Sequence, residues 1–391
     1  MSLLRCAELQ SAQKQDQVRS LSLLLHDPIL SHLEGLCLHR SINQEELQQL
    51  SIANLRHIKL LDLSNNYLPE NALLAFFERQ TLPNLEQLDL SSNHTTPKVV
   101  QCLVERHMLT KARRLDLSYT PITPETLRQL ASNTALPVLR HLQLNGQHVT
   151  NTPGLNDLFR THHQHLTSLS LINCGLEGSS AARLLSNNPW PELTTLKLGF
   201  NRLGSDGLAA LSAINAPKLA HLELNNNQIS IGGWHQFTLT ITSPIHTLNA
   251  YQNPADSELV QTLLHHFIPT LSPKDTTSST TTNAQNPHIT AAEFHALLLD
   301  ERLPLQTRQM VLERLENQNI ALVRTLGLKL SKEATLHTEA HRGVRMWLIS
   351  VLTQMRMLEL KTMASNLNLA LPTNCRKPQL IAAVRDALDN I

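Results

Sequence analysis

The stretch Leu193-Thr-Thr-Leu196-Lys-Leu198-Gly-Phe-Asn201-Arg-Leu203 decides how this chain is read. It has apolar residues at its first, fourth, sixth and eleventh positions and an asparagine at its ninth. The same frame begins at Leu33, Ile58, Leu85, Ala112, Leu139, Leu166, Leu193, Leu219 and Ile245. From Ile58 on, the step is about 26 to 27 residues, which is the mark of stacked repeats and not of one globular core. Such a stack presents a long wall suited to holding a partner.

Working outward from the frame, the paired leucines such as Leu61 and Leu63, Leu88 and Leu90, or Leu196 and Leu198 alternate with polar residues. Alternate residues of a strand point to opposite faces, so positions four and six go inward while three, five and seven are open. The ninth position is filled by Asn66, Asn93, Thr120, Gln147, Cys174, Asn201, Asn227 and Asn253. A carboxamide there bridges the backbone groups that a tight turn leaves unpaired. Threonine and cysteine do this less well, which predicts looser ladders at Thr120 and Cys174. Each turn leads into a helix, as at 70–79, 124–131, 179–186 and 205–213. Pro124 suits a first helical turn, Ser205 suits an N-cap, and Leu208 and Leu211 face inward at helical spacing. The first copy loses the frame at Ile42, and Val18, Leu21 and Leu23 read as a degenerate capping copy.

The frame resembles the leucine-rich repeat superfamily over roughly residues 33–268, and its long helical half is similar to the ribonuclease-inhibitor-like subgroup. That resemblance implies an α/β solenoid, a horseshoe with a parallel sheet inside and helices outside. It also implies partner binding on the concave face and no catalytic group. The fold class expected is therefore α/β, a leucine-rich repeat solenoid followed by a small all-α C-terminal domain. The domains expected are an N-terminal cap at 1–32, the repeats with a closing helix at 33–271, a flexible linker at 272–289 and a helical domain at 290–391. The closing helix would carry Leu259, Leu263, Leu264 and Phe267 on one face. The linker has no large apolar side chain to offset its ordering.

In the C-terminal part, Thr290 and Glu293 form a capping-box pattern. Pro304 opens a second helix, and 320–330 forms a third. The strongest helical stripe spans 339–360, with Val344, Trp347, Leu348, Val351, Leu352, Met355 and Leu358 on one side. Residues 357–391 form two helices around an extended connector containing Pro372. The ELK opening at 359–361 and RKPQLIAAV at 376–384 make this pair similar to the helix-extension-helix modules of the SAP and Rho N-terminal type. The resemblance implies phosphate contacts at Arg376, Lys377 and Arg385. Asp386 and Asp389 offset that charge, and the connector glycine common in those modules is absent.

Formal net charge is +1, so no global field draws the chain to nucleic acid or to a membrane surface. Five scattered cysteines without a C-x-x-C pattern point to a reducing compartment. The N-terminus lacks a basic region followed by an apolar core, and no apolar run reaches membrane-spanning length. The expected location is cytoplasmic or otherwise reducing, or the host cytosol for a secreted bacterial effector. His337 and His341 lie four apart without a third ligand, and read as a solvated helix face. No metal, cofactor or catalytic group is expected.

The fifth position of the frame places Asp62, Asp89 and Asp116 in consecutive repeats, about 5 Å apart. The partner surface expected comprises these three with Tyr119, His141, Gln143, Lys197, Phe200, His221, Glu223 and Tyr251. The function expected is a non-enzymatic protein-interaction scaffold whose partner carries a basic patch. The alternatives are a nucleic-acid-associated adaptor acting through the C-terminal tail, and a bacterial effector acting on a host protein.

Overall fold

Positions three to five of each copy of the frame form a short strand in the computed structural model. It describes residues 6–8, 32–132, 134–147, 153–162, 164–254, 260, 262–264, 290–300, 302–303, 305–316, 320–333, 341–370 and 375–390. Ten strands form one parallel sheet in sequence order. They are β1 Cys6–Glu8, β2 Gly35–Cys37, β3 Leu60–Asp62, β4 Gln87–Asp89 and β5 Arg114–Asp116, then β6 His141–Gln143, β7 Ser168–Ser170, β8 Thr195–Lys197, β9 His221–Glu223 and β10 Thr247–Asn249. The register never slips: Leu61 pairs with Leu88, Leu88 with Leu115 and Leu115 with Leu142. A slip of one residue would turn every one of these leucines to the open face. The leucines at positions four and six are buried throughout, from Leu36 and Leu38 to Leu222 and Leu224.

The chain divides into two compact units, neither continuous in sequence. Among the described residues, the first holds ten strands and seven helices: α1 Gln44–Leu50, α2 Glu70–Arg79, α3 Pro97–Glu105, α4 Pro124–Leu130, α5 Pro153–His162, α6 Gly178–Ser186 and α7 Gly204–Ser212. Each of these helices follows its strand, and α1 to α5 pack each against the next, as α6 does against α7. The second unit holds α8 Ile231–Thr240 and the later helices α9 Ala291–Leu299, α10 Leu305–Glu316, α11 Ile320–Leu330, α12 Arg342–Val351, α13 Met357–Asn366 and α14 Lys377–Asp389. The fold class is thus α/β, a repeat solenoid with a helix-rich C-terminal part. Residues 272–289, Val18, Leu21, Leu23, Leu259, Phe267, Pro304, His337 and Pro372 lie outside the described residues.

The asparagine ladder explains why the repeats stack. Asn201 donates from Nδ2 to the carbonyls of Leu171, Leu198 and Gly199, and its Oδ1 accepts from the N–H groups of Cys174 and Leu176. One buried side chain thereby satisfies five backbone groups of two successive repeats. Thr120 instead donates to Leu117 O of its own repeat, while Gln147 of the following repeat donates to the same carbonyl. Cys174 Sγ lies 3.1 Å from Leu144 O, in place of an amide.

Three sequence expectations are corrected, and one strand lies where the frame gives none. Ser205 is not an N-cap. Helix α7 starts at Gly204, whose left-handed backbone and N–H bond to Asn227 O close the turn one residue earlier. The stripe at 339–360 is not one helix. It stops at Val351, passes through a 3-10 turn at Leu352–Gln354 and extended Met355, and restarts at Met357. The Arg356 N–H bonded to the Glu359 carboxylate, and the Arg324 side chain on Gln354 O, hold this break. Leu358 consequently faces outward, 76% exposed, while Leu360 and Met363 face the core. His341 is not solvated but fully buried, as the N-cap of α12. A strand at Cys6–Glu8 pairs with β2, although the frame has no recognisable copy there. Its signal is the degenerate run Leu4-x-x-Ala7-x-Leu9, in which Ala12 stands at the ninth position in place of an amide.

The second unit follows its pattern closely elsewhere. Thr290 and Glu293 form the expected capping box. Glu293 Oε1 also accepts from the N–H of Gly232 at the start of α8. His235 of α8 and Asp300 after α9 meet at 2.6 Å, both almost wholly buried. Arg302 adds three further bonds to the Asp300 carboxylate, which holds its pKa down at about 2 in spite of burial.

Candidate binding surface

Asp62, Asp89 and Asp116 end strands β3, β4 and β5 and stand in direct register. Each has a local bond that explains its place. Asp62 Oδ1 accepts from the N–H and hydroxyl of Ser64, Asp89 Oδ1 from the Ser91 N–H, and Asp116 Oδ1 from the Ser118 N–H. An aspartate followed two residues later by such a bond starts a turn. The Leu-Asp-Leu-Ser sequence therefore closes the strand as well as charging its face.

The three carboxylates share a groove with the third-position side chains, among them Leu60, Gln87, Arg114, His141 and Ser168. Burial, and then the Asp116 charge beside it, raise the Asp89 pKa to about 6. Burial likewise raises Asp116, against the two bonds from Ser118. Burial also lowers the pKa of His141, with Arg114 and Arg140 adding to the effect. Farther along, Lys197 and Glu223 pair at 2.6 Å, and His221 Nδ1 meets Thr247 Oγ1 at 2.7 Å. Gln143 and Ser170 stand between the acidic run and Lys197. The expected residues of β3 to β9 thus lie along one face of the sheet, negative at one end and internally neutralised at the other.

The aromatics lie in the turns beyond the strand ends. The eighth position of all nine repeats has a left-handed backbone: Arg40, Asn65, Ser92, Tyr119, Gly146, Asn173, Phe200, Asn226 and Gln252. Tyr119 and Phe200 are 56% and 48% exposed, and Tyr251 is half-buried. Tyr67, also in a left-handed turn and 74% exposed, escapes the sequence reading because it falls outside the strand positions. The Tyr119 ring lies on Gly146, where a Cβ would come within 2.3 Å of it. The glycine makes room for the ring. In the second unit, Arg376 and Lys377 open α14, and the Lys377 ammonium donates to Thr353 O. Arg385 is two turns farther on, about 12 Å along the axis and beside Asp386. The three basic residues do not form one cluster. Among the described residues, no group of three histidine, cysteine or acidic side chains is placed to hold a metal ion. No described helix is long and apolar enough to cross a membrane.

A family model described as a leucine-rich repeat matches residues 191–212, the stretch around Asn201. The repeats are leucine-rich repeats. A search of curated proteins found no match. Among solved structures, the chain is similar to one in the crystal structure of a Rad7 and Elc1 complex in yeast. The identity is 17%, the match covers 67% of this chain and 77% of that one, and the TM-score is 0.39.

Proposed function

We propose that this leucine-rich repeat chain is a non-enzymatic protein-interaction scaffold, and that the groove on its sheet face receives a partner bearing a basic patch. The observation that carries this is the register of Asp62, Asp89 and Asp116 on adjacent strands, with the central carboxylate pushed up to about 6. Carboxylates so crowded repel one another in the free protein, and a bound cation relieves that repulsion. Lysine or arginine side chains of a partner supply such cations, and Tyr119, Phe200 and Tyr251 at the turns offer it flat apolar contacts. Aromatic residues of this kind are enriched among the anchors of protein interfaces.

The test is affinity capture with the full chain, in parallel with a variant carrying Asp62→Ser, Asp89→Ser and Asp116→Ser, at low and high salt. The expected result is a partner retained by the natural chain whose recovery falls with salt and is lost with the variant. Equal recovery and equal salt dependence for both chains would remove the reading.

A further inference from the structure

A second polar cavity lies away from the sheet face, in the loops that lead from α1 to β3 and from α2 to β4. It is lined by Asn54, Leu55, Arg56, Arg79, Gln80 and Thr81, with Ala53 at its rim. We infer that this crevice is a binding site for a phosphate dianion.

Gln80 builds the wall. Its buried amide donates to the carbonyls of Leu50, Ser51 and Ala53. The first two of those carbonyls end α1, and a bare helix C-terminus repels anions. The Gln80 amide takes up that negative end. The backbone N–H groups of Asn54, Leu55 and Thr81 have no acceptor among the described residues. Unpaired backbone N–H groups that line a concavity can hold an anion there.

The charge agrees with the donors. Arg56 and Arg79 make no ion pair among the described residues. Arg79 reaches only the Ser51 hydroxyl, at 3.4 Å. Glu78 is the adjacent helix residue, turned about 100° away around the axis. Two unneutralised guanidinium groups match the charge of one dianion, and their forked donors suit the oxygens of a phosphate. A carboxylate would neutralise only half of that charge. The phosphate is either a free ion or a group carried by a phosphorylated protein segment.

The experiment uses the full chain, titrated at matched ionic strength with inorganic phosphate, acetate, and a phosphoserine peptide with uncharged flanks. Saturable binding of phosphate or of the peptide is expected. Arg56→Gln and Arg79→Gln should each weaken it at least about tenfold. Arg128→Gln, which removes an exposed arginine already paired with Glu125, should leave it unchanged. A tighter peptide assigns the site to a phosphorylated partner, and equal affinity assigns it to the free ion. The inference is overturned if neither probe saturates, if both arginine variants bind like the natural chain, or if acetate matches phosphate. None of these outcomes depends on what the sheet face binds.

Discussion

At the scale of single residues, Asp89 carries a conflict that can be measured. An unfolded aspartate titrates near 3.9, whereas Asp89 in the fold titrates at about 6. Between those values the folded chain keeps a proton that the unfolded chain has lost. The contribution of this group to stability therefore falls as pH rises from about 4 through 6. Asp89→Asn preserves the oxygen that accepts from the Ser91 N–H and removes the charge. It is expected to raise stability at pH 7.5 by on the order of 1 kcal/mol, allowing for solvent screening, and to change little at pH 4. Urea unfolding at the two pH values measures this, and a variant no more stable at pH 7.5 contradicts it. The aspartates themselves were legible as a stripe because they recur with the frame. Their second role, closing the strand through the serine two residues on, was not, since spacing alone does not show a hydrogen bond. The left-handed eighth position was hidden too. Asn65, Gly146, Asn173 and Asn226 suit it, but Arg40, Tyr119 and Phe200 in the same place mask the rule.

At the scale of elements, the ninth position sets how firmly one repeat holds the next. Asn201→Ala removes the side-chain partner of Leu171 O and of the Cys174 and Leu176 N–H groups, so a loss of about 3 kcal/mol or more is expected from thermal or urea unfolding. Leu198 O keeps Asn227 Nδ2, and Gly199 O keeps the Asn173 N–H. Thr120→Ala removes the bond to Leu117 O and should cost nearer 1 kcal/mol, on the order of a single hydrogen bond. Equal costs for the two would sink the view that the amide ladder carries the stacking. Helices were readable where apolar period and cap agreed, as at Thr290, and by apolar period at Ile320–Leu330. The break after Val351 escaped for a physical reason. The apolar period runs unbroken across it, and the cap that restarts the chain is an arginine, a residue type that gives no warning in sequence.

At the scale of the whole molecule, the repeats were legible from their period, while the division into units was not. Helix α8 sits between β9 and β10 in sequence, yet it groups with the C-terminal helices, bound through Glu293 to Gly232 and through Asp300 to His235. Such long-range grouping leaves no mark in local pattern. It predicts that residues 290–391 alone form a weaker fold than the same helices in the full chain, because Asp300 and Glu293 lose these partners. Hydrogen exchange of α9 in the fragment and in the full chain checks this, and equal protection would contradict it. The unbroken register has a different consequence, one for inheritance. Strands β4 to β8 begin at residues 87, 114, 141, 168 and 195, a constant step of 27. Gain or loss of one whole step keeps every leucine on its side of the sheet, whereas gain or loss of one residue within a strand reverses them all. Unequal crossing-over between copies would thus lengthen or shorten this wall without rewriting it, and would bring new neighbours beside Asp116 in a single event.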